Sequence, residues 1–394
     1  MKAKKLTTKL LAVLSAAAIA VGATAMSAFA ADKQSVKSEL SSVAGLLADT
    51  NNSANYTNDF VYAMLVAQKT DDSFNESYKA SVVEDLTKND GKLTYTDTYS
   101  GVTSESLLYE ATAAIVLNAM GYNVRDIGGY DLEAIISKVD LTQVSNPYHL
   151  CEALKAATKI GAESALCEKL LAAIMACYSD STAIENAGGM DYWGLSVDNN
   201  GVFIEAVTPY MSANDDVKQA VEKSFNYIAA MKTADGYDYS DSYPAGSGNA
   251  DSTALALRAF VAVGDAEKAE EAYNFLLGFK SQNVNGSYLY GGEESLYAAK
   301  DAANAIAAYY TYLPNEEPAT EVTSEEVTNA ATQEVTTTAS VTETKSTTTT
   351  AASAKKSSNS TDKNANTGAG KAFGVSVFMA AAAVGFTALK RKEK

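Results

Sequence analysis

Residues 225–239 read FNYIAAMKTADGYDY: apolar side chains at helical spacing stop at an Asp-Gly turn, and tyrosines follow. Residues 273–288, YNFLLGFKSQNVNGSY, repeat the pattern, with Phe225 matched by Tyr273, Asn226 by Asn274, Tyr227 by Phe275, Ile228 by Leu276 and Lys232 by Lys280. Fifteen residues after the turn glycine, Gly236 or Gly286, comes an aspartate, Asp251 or Asp301, which is expected to open an Ala-rich helix. A weaker copy, VVEDLTKNDGKLTY at 82–95, holds its turn at Asp90-Gly91, and Asp198 begins another such helix in VDNNGVFIEAVTPYM. A helix-turn-helix unit returning at roughly fifty residues predicts a closed or stacked helical array.

The rest of residues 31–313 agrees. Stretches such as SVKSELSSVAGLLA, YEATAAIVLNAM, YHLCEALKAATKI and ESALCEKLLAAIMACY place apolar residues three and four apart, as amphipathic helices do. About a dozen such helices are expected, separated by Gly, Asp and Asn turns, with no run of alternating strand pattern. The fold class is therefore expected to be all-α, built from helical hairpins.

YIAAMKTADGYDYSDSYPAGSGNADSTALALRAFVAVGD resembles the repeat of the squalene cyclase and protein prenyltransferase superfamily: an apolar helix, Gln, Asp-Gly, an aromatic, then Asp or Thr opening a helix of small residues. Gln282 stands where that Gln belongs in the last copy, and Lys232 replaces it in the other. IVLNAMGYNVRDIGGYDL, residues 115–132, is similar to a segment of bacterial surface-exposed members. The resemblance implies an (α/α)6 toroid, six inner helices ringed by six outer ones. It brings no catalytic residue with it, because each signature of the enzymes is incomplete here. The zinc ligands of prenyltransferases have no counterpart: the single histidine, His149, lies two residues from Cys151, off the same helix face, and a catalytic zinc needs three placed ligands. The Asp-x-Asp-Asp acid of squalene cyclases is approached only by SANDD, where Asp215 and Asp216 precede a helix whose positive N-terminus favours acids. The Gly-Cys-Gly-Glu-Gln of thioester domains is absent. No cofactor and no metal are expected.

Two sets of residues are candidates for a ligand site. Asp198, Asp251 and Asp301, at or near the starts of inner helices, can cap free backbone N–H groups, or can converge as acids on one mouth of a toroid. Trp193, Tyr237, Tyr239, Tyr243, Tyr288 and Tyr290 lie in outer-to-inner links, and either plug those loops or form an aromatic rim for a ligand.

The ends of the chain point outside the cell. Lys2, Lys4, Lys5 and Lys9, the apolar run LLAVLSAAAIAVGATA and Ala28-Phe29-Ala30 form an export signal, with cleavage expected between Ala30 and Ala31. Residues 314–363 turn to Thr, Ser, Ala, Glu and Val without one aromatic, a composition expected to give a disordered stalk. In 364–394, Asn366-Thr367-Gly368 precedes an apolar span, 372–389, and the basic tail KRKEK. That order resembles a Gram-positive sortase signal, which would be cut between Thr367 and Gly368 and joined to peptidoglycan. The usual Leu-Pro before the motif is missing here, and a permanent transmembrane helix is the alternative. Both readings put the domain at the surface, attached to the cell wall or the membrane.

The net charge of −17 excludes nucleic acid as a partner, since that needs a basic footprint. Three cysteines, Cys151, Cys167 and Cys177, read as free thiols in the core, with a bridge between Cys151 and Cys167 as the alternative. The functional expectation is a cell-surface, non-catalytic domain that binds a ligand or protein partner through its loop face. The alternatives are a surface enzyme acting on a glycan or isoprenoid, and a structural adhesin without a small-molecule site.

Overall fold

The computed structural model describes residues 31–315 except Asn51 and Tyr99. The expected export signal with Ala30, the expected stalk beyond residue 315 and the expected sorting signal with Thr367 and Gly368 lie outside the described residues. Within them the chain is all-α in character, with twelve α-helices.

The opening repeat shows how the helices divide. In α9 (Asp215–Ala230), Val217, Ala220, Val221, Ser224, Tyr227 and Ile228 are buried, a single stripe at spacings of three and four. Asn214 caps it by accepting from the backbone N–H groups of Asp216 and Val217, and Asp215 and Asp216 occupy its first turn, where acids meet the positive end of the helix dipole. The next helix, α10 (Ala250–Val263), is buried almost all round from Ser252 to Phe260 and ends at Gly264, whose φ of 79° gives the left-handed cap that glycine adopts without strain. A one-stripe helix is an outer one, and a helix buried all round is an inner one.

The inner helices are α2 (Val61–Val66), α4 (Leu107–Ala119), α6 (Pro147–Lys159), α8 (Val197–Val207), α10 and α12 (Leu296–Tyr312). Each packs against the next in that order, and α12 packs against α2. Around them lie α1 (Lys33–Ala48) on α2 and α12, α5 (Leu132–Lys138) on α4, α7 (Ser164–Met175) on α6, α9 on α8, and α11 (Ala266–Gly278) on α10 and α12. The remaining helix, α3 (Asp72–Lys88), buries Tyr78, Val82 and Leu86.

Three contacts fix how α8 and α10 run. The Ser252 hydroxyl donates to Asp198 (2.7 Å), Gly201 lies against the Leu255 backbone, and Arg258 pairs with Glu205. Both residue numbers climb together, so the two helices are parallel. Asn118 of α4 donates to the Lys159 carbonyl at the end of α6 (3.4 Å), which sets those two parallel as well.

Short antiparallel hairpins, not foreseen from the sequence, fill three outer-to-inner links: β1 (Thr94–Thr96) with β2 (Thr103–Glu105), β3 (Tyr178–Asp180) with β4 (Gly188–Met190), and β5 (Tyr288–Tyr290) with β6 (Glu293–Ser295). At three residues each, these strands are too short for a period of two to show. Fully buried Asn200 ties one hairpin to α8: its Nδ2 donates to the Gly188 carbonyl (3.2 Å) and its Oδ1 accepts from the Met190 N–H (3.1 Å). Asn200→Ala leaves two buried backbone groups unpaired and is expected to cost about 2–4 kcal/mol, read from urea unfolding. An unchanged midpoint would contradict that role for the side chain.

The turn glycines also meet their expectation. Gly286 has a φ of 79°, and a Cβ there would lie 2.4 Å from the Ser42 carbonyl oxygen of α1. The last copy thus presses directly on the first helix, where Glu39 accepts from Tyr288 (2.9 Å) and pairs with Lys280. The three cysteines are free thiols: Cys151 and Cys167 are buried and Cys177 is half-buried.

Candidate functional site

All six inner helices line one cavity of about 180 Å³, through Tyr62 of α2, Thr112 of α4, Lys155 of α6, Glu205 of α8, Arg258 of α10 and Asn304 of α12. Its wall carries a buried ion cluster. Lys155 pairs with Glu152 (2.9 Å) and Glu205 (2.8 Å), and Arg258 pairs with Glu205 and lies 3.7 Å from Glu152. Burial pushes the Glu205 carboxyl up, but Arg258 and Lys155 outweigh it and hold the group at about 2. Arg258 is raised by the same two glutamates against its own burial.

Seven residues before Glu205 stands Asp198, and seven before Arg258 stands Asp251. Seven helical residues span about 10 Å, so these aspartates sit two turns from the ion cluster, toward the inner-helix N-termini. Neither is a cap. Ser196, Asn249 and Ser295 cap α8, α10 and α12, accepting from the N–H groups of Asn199, Ser252 and Ala298. The expected opening of a helix at Asp301 is corrected too: α12 starts at Leu296, which places Asp301 in its second turn.

The three aspartates, none of them a cap, lie near enough to act on one another through charge. Burial, then the charge of Asp198, raises Asp251 to about 7. Burial raises Asp198 to about 6 against the stabilising Ser252 hydroxyl. For Asp301 burial comes first, then the charges of Asp251 and Asp59, and Arg258 only partly opposes them. Oδ1 of Asp251 is buried without a hydrogen-bond partner. Asp59, just before α2, is exposed to solvent and still surrounded by protein, as a group on a concave wall is, and its carboxyl is raised by burial while Lys300 opposes. Water reaching this wall limits the rise at all four groups.

A carboxyl harder to ionise in the folded chain than in the unfolded one stabilises the fold fully below about pH 4, and that stability is lost as pH rises through about 6 to 7. The melting temperature is expected to fall across this window, and Asp251→Asn should remove about 2 kcal/mol of the fall. Parallel melting curves of the two proteins at every pH would contradict the raised carboxyl.

The predicted aromatic set divides in two. Tyr237 and Tyr288 are packed inside: Tyr237 stands 5.6 Å from the ring of Phe260 and 6.3 Å from that of Phe275, and Tyr288 donates to Glu39. These two brace outer against inner helices and do not reach the rim. Tyr239, Tyr243, Tyr290 and Trp193 stay exposed. Tyr239 and Tyr290 feel the charge of Asp198, so they stand beside the aspartates. Trp193 has a φ of 64°, a left-handed backbone that a bulky residue adopts only under constraint, and its ring neighbours Tyr192 at 5.6 Å.

Residues that the sequence reading passed over complete the cavity: Asp59, Glu152, Lys155, Glu205 and Arg258. The signal was a lone charge inside an apolar run, as in GVFIEAV and ALALRAFVAV. His149 is the third residue of α6, and burial lowers its pKa. No His, Cys, Asp and Glu group suited to a metal ion is found among the described residues. A second, shallower groove of about 1050 Å³ lies at the opposite end, around the α6–α7 link, with Arg125, Glu163 and Lys169 on its walls. No helix among the described residues is long and apolar enough to cross a membrane. The chain matches no known family model and no curated protein.

Proposed function

We propose that residues 31–313 are an (α/α)6 toroid of the squalene cyclase and prenyltransferase type, displayed at a bacterial surface, that binds a ligand or protein partner at the mouth of its central cavity. Display rests on the export signal, the stalk and the sortase-like or membrane-spanning end read from the sequence. The toroid is supported by the packing order of the inner helices, which returns from α12 to α2. The observation that carries the binding role is the convergence of Asp198, Asp251 and Asp301, none of them a helix cap, above a cavity that all six inner helices line. Neighbouring buried carboxyls, one of them with an oxygen that no hydrogen bond reaches, cost folding free energy, and a ligand that uses them accounts for the cost.

A thermal-shift screen of the full chain against corrinoids, isoprenoid lipids, oligosaccharides, peptidoglycan fragments and cationic peptides tests the reading. A ligand at a hundred times its dissociation constant stabilises the fold by about 2.7 kcal/mol, and Asp251→Asn or Asp301→Asn should reduce that shift. A shift that survives in both variants, or silence from every class, contradicts binding at the mouth and favours the adhesin.

One observation favours a second reading. Two neighbouring carboxyls raised to about 6 and about 7, two helical turns from the cavity's ion cluster, suit proton transfer at neutral pH, as a surface enzyme acting on a glycan needs. Product release by the wild type, abolished in both Asp198→Asn and Asp251→Asn, would replace the binding role with catalysis.

A further inference from the structure

The large apolar side chains left exposed among the described residues all fall in outer-to-inner links or in the first turn of α12. Trp193 is 60 % exposed, Tyr243 74 % and Tyr297 60 %, and Tyr95, Tyr239 and Tyr290 accompany them. The exposed faces of the outer helices carry none. Since the inner helices whose direction is fixed run parallel, these links gather at the end where Asp198, Asp251 and Asp301 meet. An apolar surface confined to one end, with acids at its centre, is the form of a docking face.

Charge selects the occupant. We propose that this face docks a cationic polypeptide segment, with lysine or arginine side chains entering among Asp198, Asp251 and Asp301 and the tyrosine rim packing their stems. A neutral glycan would stack on the tyrosines and leave the carboxylates uncompensated, whereas an ammonium or guanidinium offsets them directly. The rim already holds one such contact: the Lys300 ammonium stands 5.5 Å from the Tyr297 ring centre and 5.4 Å from that of Phe60. Of the cations around the mouth, Lys300 acts on Asp59, and Arg258, which acts on Asp301, is committed to Glu205. The aromatic rim extends over the links before α4, α8, α10 and α12, more platform than a single small amine covers. This inference rests on the mouth being a binding site and adds the chemistry of what binds.

The test is fluorescence anisotropy of a dye-labelled octalysine peptide titrated with the full chain at near-physiological salt. Because a chain of charge −17 attracts any polycation, two variants of equal formal charge are compared. One is Asp198→Asn/Asp251→Asn/Asp301→Asn, and the other removes the exposed outer-helix acids as Asp216→Asn/Glu222→Gln/Glu267→Gln. The mouth variant should bind at least about tenfold more weakly and the outer variant less than about twofold. Tyr243→Ser, an exposed change that folding tolerates, should weaken binding about threefold. Equal weakening by the two triple variants, or no octalysine binding, overturns the proposal. If octalysine fails while a neutral ligand stabilises the wild type and not Asp251→Asn, the mouth is a binding site of another chemistry. If nothing binds in an Asp251-dependent way, both readings fall.

Discussion

Arg258→Ala is expected to lower the unfolding free energy by about 3–5 kcal/mol, because it leaves buried Glu152 and half-buried Glu205 sharing one lysine. Arg258 is 6 % exposed on α10, and its guanidinium spans Glu205 of α8 and Glu152 of α6, so one side chain ties three inner helices. Without it, burial drives Glu205 toward the neutral acid. The variant should then lose the acid sensitivity that Glu205 gives the wild type. In the wild type the low pKa of Glu205 supplies stability that is present above about pH 4.5 and lost as pH falls through about 2. A companion variant, Arg258→Met/Glu205→Leu, replaces the pair with apolar volume and should recover much of the loss. Urea unfolding at several pH values reads both effects. A cost for Arg258→Ala below about 1 kcal/mol would mean that the cluster is solvated rather than buried.

Gly201→Val should be nearly as damaging, by a different route. A Cβ on Gly201 would lie 2.6 Å from the Leu255 carbonyl oxygen and 2.8 Å from the Leu255 Cβ, so α8 and α10 meet backbone to backbone with no gap to fill. Rigid backbone cannot yield as a flexible side chain does, and the two helices must separate. The cost should reach or exceed the upper end of the about 1–3 kcal/mol typical of overpacking. Separation would also disturb the contacts on either side, Asp198 with Ser252 and Glu205 with Arg258. Gly201→Ala isolates the steric part, since alanine gains about 1 kcal/mol of helix propensity over glycine and should still destabilise. A stabilised Gly201→Ala would contradict the close approach.

Much of this architecture was legible, and the exceptions have particular causes. The spacing of Val217, Val221, Tyr227 and Ile228 announced an outer helix, and Asp235-Gly236 and Asn285-Gly286 announced its turns, because a 3.6-residue period and a positive φ leave marks in local sequence. The start of α12 was legible in SLYAAKDAANAIAAYYTYL, whose first residue, Ser295, is the cap, and only the spacing of the repeat pointed past it to Asp301. Burial depth left no mark: Tyr237 and Tyr239 are the same residue two positions apart, one in the core and one at the rim. The aspartates were legible as a set and misleading as caps, because an acid in the first turn reads the same whether it faces the backbone or a cavity. The ion cluster required knowing that three helices lie side by side, and no local pattern states that. Even so, Glu205 and Arg258 fall at the same distance after Asp198 and Asp251, a register that the repeat itself contains.

Hydrogen–deuterium exchange of the full chain, with and without the ligand that stabilises it most, is the most direct measure of where binding occurs. Binding at the mouth predicts slowed exchange in residues 191–200, 237–253 and 288–301, the links and first turns around Asp198, Asp251 and Asp301. Slowed exchange confined to residues 160–169, at the groove of the opposite end, would contradict it, as would a stabilising ligand that leaves the mouth segments unchanged.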